Sequence, residues 1–419
     1  MKYHTGMDIY LNDKRTPCKY GENCYQKNPH HIKKFKHPPK DKKDSESPPP
    51  KKLKLVTEDE KESTKEKIEN IENGEDESPK ENLENKLESI ETVPVKCSEA
   101  VSESHESEDE NNTLPESPSS IEENIKQKFL VDMPKDFYEF WDLCKNLHKE
   151  NPAAFKECDL TLVGAFDVLS GKLKNIKCRE LSKYLCHWRF YYDPPEFQTI
   201  IVGKKDEYHI GYFRDDPLEE PIFLASMSSK SGTIQPLKED LFSTNVYKGN
   251  SPQKNNLLEA VKDFAEEKGY KLDYVSERLK KRRKSVVSKA FHGAGIVVPV
   301  NKDTDVGYRE IPETNANLKK IFKNVVEAGT EEKKLKCLDV LQELMTNAQW
   351  ATDEGDFGMG LELGLDLFTF GGEEFHSFIR HLLTVAYDLL NREAFSKIIQ
   401  AHLKNRRKGP NQSSFNEIV

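Results

Sequence analysis

The segment from Trp350 to Phe368, WATDEGDFGMGLELGLDLF, places five carboxylates among four glycines and a stripe of Leu and Phe. A carboxylate held against a reacting hydroxyl can accept its proton as a general base. Glycine allows a tight turn and lets a partner approach the backbone closely. Asp353 and Glu354 are therefore candidates for proton transfer. The alternative is a solvated helix start, where the helix dipole favours acids, and the residues alone favour that alternative.

A second set of chemically active side chains lies near the N-terminus. Cys18, Cys24, His31 and His37 follow the spacing C-x5-C-x6-H-x5-H. Two thiolates and two imidazoles complete a tetrahedral Zn²⁺ site, and a segment this short needs a metal in order to fold. His30 is an alternative to His31 as a ligand. The interval between the Cys and His pairs is too short for the recognition helix of a DNA-reading finger.

The stretch CKYGENCYQKNPHHIKKFKH resembles the PAR-binding zinc finger family (PBZ type), whose pattern is close to C-x-Y/F-G-x-x-C-Y-R-K-N-P-x-H-x5-H. The resemblance selects His31 as the ligand and implies binding of poly(ADP-ribose), with Tyr20 and Tyr25 against adenine. Gln26 stands where the family usually has Arg, so one charge-assisted contact is lost. Residues 1–40 carry nine Lys/Arg and three acids, hence +6, which suits a polyanion of stacked purines.

Three parts of the remaining chain resemble one further family. They are HWRFYYDPPEFQTIIVG with YHIGYFRDDP, AFHGAGIVVPVNK with DVGYREIPET, and DEGDFGMGLELGLDLF. Together they resemble the histone PARylation factor 1 family, from about Lys128 to Leu403. The resemblance implies a protein that is not an enzyme on its own. It implies docking on the catalytic domain of DNA-damage-activated poly(ADP-ribose) polymerases, which bind NAD⁺, and completion of their active site for serine ADP-ribosylation of histones and other proteins.

The same resemblance assigns roles to the acids. It makes Glu354 the general base and gives Asp353 a supporting role that faces the partner. The like charges of Asp353 and Asp356, together with desolvation on docking, are expected to make Glu354 a stronger base. Glu362 and Asp366 are predicted to be solvated positions of the following helix.

Tyr308 and Arg309, in the sequence GYRE, match the polymerase-docking pair of the family. An aromatic side chain beside an arginine is typical of an interface hot spot, and the guanidinium can clamp a carboxylate. Asp356 is assigned to the same partner-binding set. The alternative is a locally packed Tyr308 and an ion pair between Arg309 and Glu310, which the sequence leaves open.

Charge divides the 419 residues into three parts. Residues 1–40 are basic, residues 41–123 carry 26 acids against 11 Lys and no aromatic residue, and residues 124–419 carry 44 charges of each sign. The middle part is predicted to be a disordered acidic linker. Its start, KDKKDSESPPPKKLKLV, fits a nuclear import signal as well as a solvated charge run. With the finger, it predicts a nuclear protein on chromatin at DNA breaks.

The body is predicted to have an α+β fold. Short strand-like pieces (TLVGAFDVL, HWRFYY, FQTIIVG, EYHIGYFR and PIFLAS) predict an antiparallel sheet in an α+β domain at 124–290. Helical periodicity then predicts a mainly helical domain at 291–407, for docking and catalysis, and a disordered tail at 408–419. No apolar run is long enough for a membrane span, and the eight cysteines indicate reduced thiols or metal ligands. We expect a monomer.

Two other classes of function are open at this stage. A poly(ADP-ribose) reader or scaffold would use the finger alone, and Glu354→Ala would then leave serine modification unchanged. A stand-alone hydrolase that removes ADP-ribose with paired carboxylates would act on a modified peptide without any polymerase. The sequence argues against the hydrolase, because it contains no nucleotide-binding glycine loop and no second acid cluster.

Overall fold

The computed structural model describes residues 10, 13–18, 21, 29–38, 112–148, 155, 158–203, 208–244 and 252–415. The predicted ligand Cys24, the aromatic residues Tyr20 and Tyr25 and most of the predicted linker lie outside these residues. The side chain of His30 also lies outside the description.

The described residues of the finger include two short strands, β1 and β2, and a helix, α1. Their bounds are β1 Thr16–Pro17, α1 Pro29–Lys34 and β2 Phe35–Lys36. The first part of the body contains α2 Ile121–Phe129, α3 Lys135–Leu147, β3 Leu160–Leu162, α4 Ala165–Leu169, α5 Leu181–Leu185, β4 Phe197–Gly203, β5 His209–Phe213, β6 Phe223–Ser228, β7 Ser231–Pro236, α6 Pro252–Glu267 and α7 Glu277–Ser285. The second part contains β8 Val286–Ser288, β9 Ile296–Val297, α8 Asn315–Val326, α9 Glu331–Asp353, α10 Phe357–Phe370, α11 His376–Leu389 and α12 Glu393–Lys404.

The predicted antiparallel sheet is confirmed. Strands β3 to β7 form one five-stranded sheet in sequence order, and each neighbouring pair is antiparallel. Short connections join the strands from β4 to β7, as an antiparallel arrangement allows, whereas the chain passes through α4 and α5 between β3 and β4. A buried aromatic and aliphatic cluster from α3, α4 and the sheet covers one face, with Phe137, Phe140 and Phe166 at its centre.

Two of the predicted strand pieces have another structure. HWRFYY forms turns, and AFDVL forms the short helix α4. Trp188 takes the left-handed conformation with φ of 57°. Arg189 is buried, and its Nη1 donates to the carbonyls of Asp193, Pro194 and Phe197 at 3.2, 2.7 and 3.0 Å. The buried guanidinium thus ties the turns at 187–192 to the residues that lead into β4.

The helical half is confirmed and packs around α10. This helix is buried at every residue from Gly358 to Phe368 because α9 lies on one side of it and α11 on another. A Cβ on Gly364 would stand 2.5 Å from Cδ2 of Leu383, so the close contact with α11 requires glycine at this position. Within the described residues, no helix is long and apolar enough to cross a membrane.

The ordered body extends beyond the predicted bounds at both ends. Leu114, inside the predicted linker, is buried, and its amide donates to the Arg179 carbonyl at 2.7 Å. Phe415, inside the predicted tail, is 2% exposed and packs 5.0 Å from the Tyr184 ring. Each extension combines an apolar anchor with hydrogen bonds to the body, such as that from the Gln412 amide to the Arg189 carbonyl at 2.7 Å, and composition averaged over a segment cannot register either.

Candidate catalytic turn and metal centre

The two candidate acids lie where α9 ends and α10 begins. Asp353 is the last residue of α9, and Glu354 caps the helix, its amide donating to the Trp350 carbonyl at 3.2 Å. Gly355 follows with φ of 88°, a conformation that favours glycine at a helix end. Asp356 then precedes the first residue of α10. The predicted loop is thus a tight turn between two packed helices, which fixes the position of both acids.

A buried arginine holds the turn from inside the protein. Arg309 is 4% exposed, and its Nη2 contacts the carboxylates of both Glu354 and Asp356, the latter at 2.8 Å. The Oδ1 atom of Asp356 accepts the Gly307 amide at 2.9 Å. A charge-assisted pair in a buried position has a fixed geometry, because the desolvated ions have few alternative partners.

Glu354 differs from its buried neighbour Asp356 in exposure. The side chain of Glu354 is 38% exposed, whereas that of Asp356 is 7% exposed. Asp353 is also exposed. Glu354 therefore combines a fixed position with access for a second molecule. The sequence predicted that the negative charges of Asp353 and Asp356 act on Glu354. In the structure the Glu354 carboxylate also contacts the guanidinium of Arg309, which has the opposite charge.

Tyr308 faces the interior beside the same turn. Its ring is half-buried, and its hydroxyl donates to Oε2 of Glu362 at 2.7 Å. The hydroxyl of Ser288 also donates to Glu362. Burial raises the pKa of Tyr308, and the neighbouring Glu362 charge raises it further. The tyrosine that the sequence predicts at an interface is thus also a packing residue of the body.

Glycines bring the segment before Tyr308 into contact with α10. A Cβ on Gly307 would stand 2.1 Å from the Pro299 carbonyl oxygen, and one on Gly358 would stand 2.8 Å from Cδ2 of Tyr308. The Gly358 amide donates to the Gly307 carbonyl at 3.0 Å. The sequence predicted that glycines of this segment allow a partner protein to approach the backbone. At Gly358 it is the backbone of this chain, at Gly307, that approaches.

Three of the four predicted metal ligands converge in the finger. The Nε2 atom of His31 lies 3.5 Å from Sγ of Cys18 and 3.1 Å from Nε2 of His37. The three ligand atoms lie within 4.8 Å of one another. The parallel pair of β1 and β2 positions Cys18, whose amide donates to the Lys36 carbonyl at 2.9 Å. One thiol and two imidazoles fit a zinc site, in which the fourth predicted ligand, Cys24, is outside the described residues.

Comparison with known proteins identifies both parts of the chain. The Histone PARylation factor 1 family model matches residues 120–406, and the PBZ domain model matches residues 15–40. The chain belongs to the histone PARylation factor 1 family. It is 44% identical over 303 residues to histone PARylation factor 1 of Mus musculus, covering 69% of this chain and 87% of the relative.

Other relatives give the same result. The histone PARylation factor 1 of Bos taurus is 44% identical over 304 residues, covering 69% of this chain and 88% of the relative. A putative histone PARylation factor 1-like protein of Homo sapiens is 40% identical over 312 residues, covering 69% of this chain and 88% of the relative. The PBZ domain of this family member agrees with the observed cluster of Cys18, His31 and His37.

The prediction that Glu362 and Asp366 are solvated is wrong. Glu362 is 6% exposed and Asp366 is fully buried. Burial raises the pKa of Glu362, although the hydrogen bonds from Ser288 and Tyr308 act to lower it. Burial also raises the pKa of Asp366, to about 8. The Oδ1 atom of Asp366 accepts the Phe291 amide at 2.7 Å. Both acids therefore tie α10 to the segment around β8 instead of meeting water.

These buried acids make the stability of the protein depend on pH. The pKa of Asp366 is about 8 in the folded state against an ordinary value of 3.8, so folding stabilises the protonated form. Its contribution is present below pH ~4 and is lost as the pH rises through about 8. We expect the free energy of unfolding to fall over this range, by on the order of a few kcal/mol for this group.

Urea unfolding at pH 5, 7 and 9 checks this expectation. Asp366→Asn cannot ionise and should make the loss of stability with rising pH markedly smaller. Asp136, whose pKa burial raises to about 7, and Glu362, whose pKa burial also raises, should sustain the remaining dependence. Asp339→Asn, at an exposed position of α9, is the matched control and should leave the slope unchanged. An equal pH dependence in the wild type and Asp366→Asn would contradict the assignment.

Proposed function

We propose that this chain docks on the catalytic domain of a DNA-damage-activated poly(ADP-ribose) polymerase and supplies Glu354 as the general base for serine ADP-ribosylation. The observation that carries the proposal is an exposed carboxylate held in place by a buried arginine. A catalytic group must be positioned before its basicity matters. Arg309 positions the Glu354 carboxylate, and the ion pair with Asp356 holds Arg309 in place.

The chemistry calls for one carboxylate with two tasks. A serine hydroxyl is a weak nucleophile until a base takes its proton. In this proposal the serine oxygen bonds to the ribose carbon of NAD⁺ while the bond from that carbon to nicotinamide breaks, and Glu354 takes the hydroxyl proton. The ribose carbon passes through an oxocarbenium-like state, whose positive charge a nearby carboxylate stabilises. The polymerase binds NAD⁺, and histones supply the serine.

The surface around the turn supports docking. Trp350 is 62% exposed on the last turns of α9, one helical turn before Glu354. An exposed tryptophan next to charged groups is typical of interface hot spots. In the proposal Asp353 faces the polymerase from the same edge, while Tyr308 and Arg309 form the docking pair. The whole proposal is tested by mixing polymerase, NAD⁺ and a histone peptide with and without this protein and scoring attachment to serine.

The finger has a separate task in this proposal. It binds poly(ADP-ribose) through a zinc-dependent fold, with Tyr20 and Tyr25 against adenine, and so keeps the protein in the nucleus on chromatin at DNA breaks. The convergence of Cys18, His31 and His37 supports the metal, and the PBZ match supports the polymer. A scaffold that only reads the polymer is the second candidate, which the same two observations favour.

Loss of the metal should abolish polymer binding by the full chain. A small segment of this kind derives its folding energy from zinc, so Cys18→Ala or a chelator should prevent retention on immobilised poly(ADP-ribose). The retained fraction of the wild type should fall steeply with salt because the ligand is a polyanion. Cys337→Ala, which removes a half-buried thiol of the body, is the control and should be retained. If retention were the same with and without zinc, the polymer would be bound by the positive charge of the N-terminal segment and not by a folded finger.

A further inference from the structure

The finger contacts the body next to the catalytic turn. Lys34, the last residue of α1, donates from Nζ to the backbone carbonyls of Asp303 at 2.7 Å and Lys302 at 3.4 Å. Beside this contact lies a cleft of about 370 Å³, with walls from both parts of the chain. The finger contributes Cys18, His31 and Phe35 among others, and the body contributes Asp303–Val306, Arg309 and Asp356.

The loop that receives Lys34, residues 301–306, has a fixed shape of its own. Oδ1 of Asn301 accepts the amides of Asp303 at 2.9 Å and Thr304 at 3.1 Å. The Asn301 amide donates to the Val306 carbonyl at 2.8 Å, which closes the loop. The amides of the loop thus point inward, and the carbonyls of Lys302 and Asp303 are the groups that Lys34 meets.

The charges of the two surfaces are complementary. The finger places the positive charge of Lys34 on a loop that carries the exposed acids Asp303 and Asp305. Exposed charge contacts of this kind are weak and screened by salt. Their energy suits a contact that opens and closes, because a free-energy difference of about 1 kcal/mol favours the docked state and still leaves the open state populated.

We infer that the 301–306 loop is a docking surface for this chain's own zinc finger, and that a polymerase approaching the catalytic turn must displace the finger. The cleft wall runs from the loop to Arg309 and Asp356, so the docked finger stands at the edge of the proposed polymerase-docking face. The competition between the finger and the polymerase rests on the proposed function, because the proposed function places the polymerase at the catalytic turn. The contact between finger and loop does not depend on it.

Two variants of the full-length protein with the same change of charge test the contact. Lys34→Glu removes the donor to the two carbonyls, whereas Lys33→Glu changes the neighbouring lysine. Hydrogen exchange of the amides of residues 301–307 is followed by mass spectrometry in the zinc-loaded proteins. Lys34→Glu should speed exchange about three- to tenfold relative to the wild type, the range that the loss of about one net hydrogen bond corresponds to. Lys33→Glu should change it less than twofold. Equal zinc content in all three proteins shows that the finger is still folded.

The affinity for the polymerase catalytic domain tests the competition. Lys34→Glu should bind the polymerase about three- to tenfold more tightly than the wild type, because no finger has to be displaced. Equal hydrogen exchange in the wild type and in both variants would overturn the docking of the finger, and would do so without any polymerase present. Faster exchange in Lys34→Glu with unchanged affinity would overturn the competition.

Discussion

Glu354→Gln should abolish most of the serine ADP-ribosylation that the polymerase performs with this protein. An amide keeps the shape of the side chain and can still accept from Arg309, but it cannot take a proton. Loss of a general base costs ~10²–10⁴-fold in rate. We therefore expect a fall of this size in the initial rate on a histone peptide with polymerase and NAD⁺, while the variant still occupies the polymerase.

The measurement needs a matched control and an independent measure of binding. Glu343→Gln makes the same change at an exposed position of α9 and should leave the rate unchanged. Binding to the polymerase is measured for each variant, and the rate is taken at saturation. Asp353→Asn should weaken binding more than the rate at saturation, since this acid is proposed to face the partner. The idea is falsified if Glu354→Gln supports serine modification at near wild-type rate when it saturates the polymerase.

The sequence was sufficient for the elements that carry a regular period. Helical periodicity predicted the helices of 291–407, and the strand-like pieces FQTIIVG and EYHIGYFR predicted β4 and β5. The convergence of Cys18, His31 and His37 could be predicted as well, because a zinc site needs a small number of residue types at short intervals. In each case the information is local along the chain.

The parts of the site that depend on distant neighbours could not be predicted. Glu362 and Asp366 stand four residues apart, so their spacing fits one exposed face of a helix. Only the packing of α9, α11 and the 286–291 segment around α10 buries them. One signal was present: the other residues of α10 are Gly, Thr or apolar, so an acidic pair on a helix apolar on nearly every side indicated burial.

The same limit applies to Arg309. The sequence left open a pair with the adjacent Glu310, whereas the structure pairs it with Glu354 and Asp356, 45 and 47 positions away. The tight turn at Gly355 places these two acids beside the 307–309 segment, and the Gly307 amide then fixes Asp356. An ion pair that depends on a turn and on a buried backbone contact cannot be recognised from the spacing of its residues along the sequence.

The contacts of Arg309 change what its substitution should do. Arg309→Ala leaves Asp356 buried without its cation, and removal of one partner of a buried pair costs about 3 kcal/mol or more. We expect a lower free energy of unfolding together with the loss of polymerase binding. The hot-spot contact itself should account for about 2 kcal/mol, or roughly thirtyfold in Kd. Tyr308→Phe, which keeps the ring and loses the hydrogen bond to Glu362, should bind with a much smaller change.

A double variant separates docking from stability. Arg309→Ala with Asp356→Asn removes both charges of the buried pair and keeps an acceptor for the Gly307 amide, so much of the stability should return. Binding to the polymerase, measured by calorimetry below the unfolding transition, should still be lost, because the guanidinium that contacts the partner is absent. Recovery of binding in the double variant would show instead that Arg309 serves only to hold the turn. In that case Glu354 and the exposed edge of α9 would carry the docking.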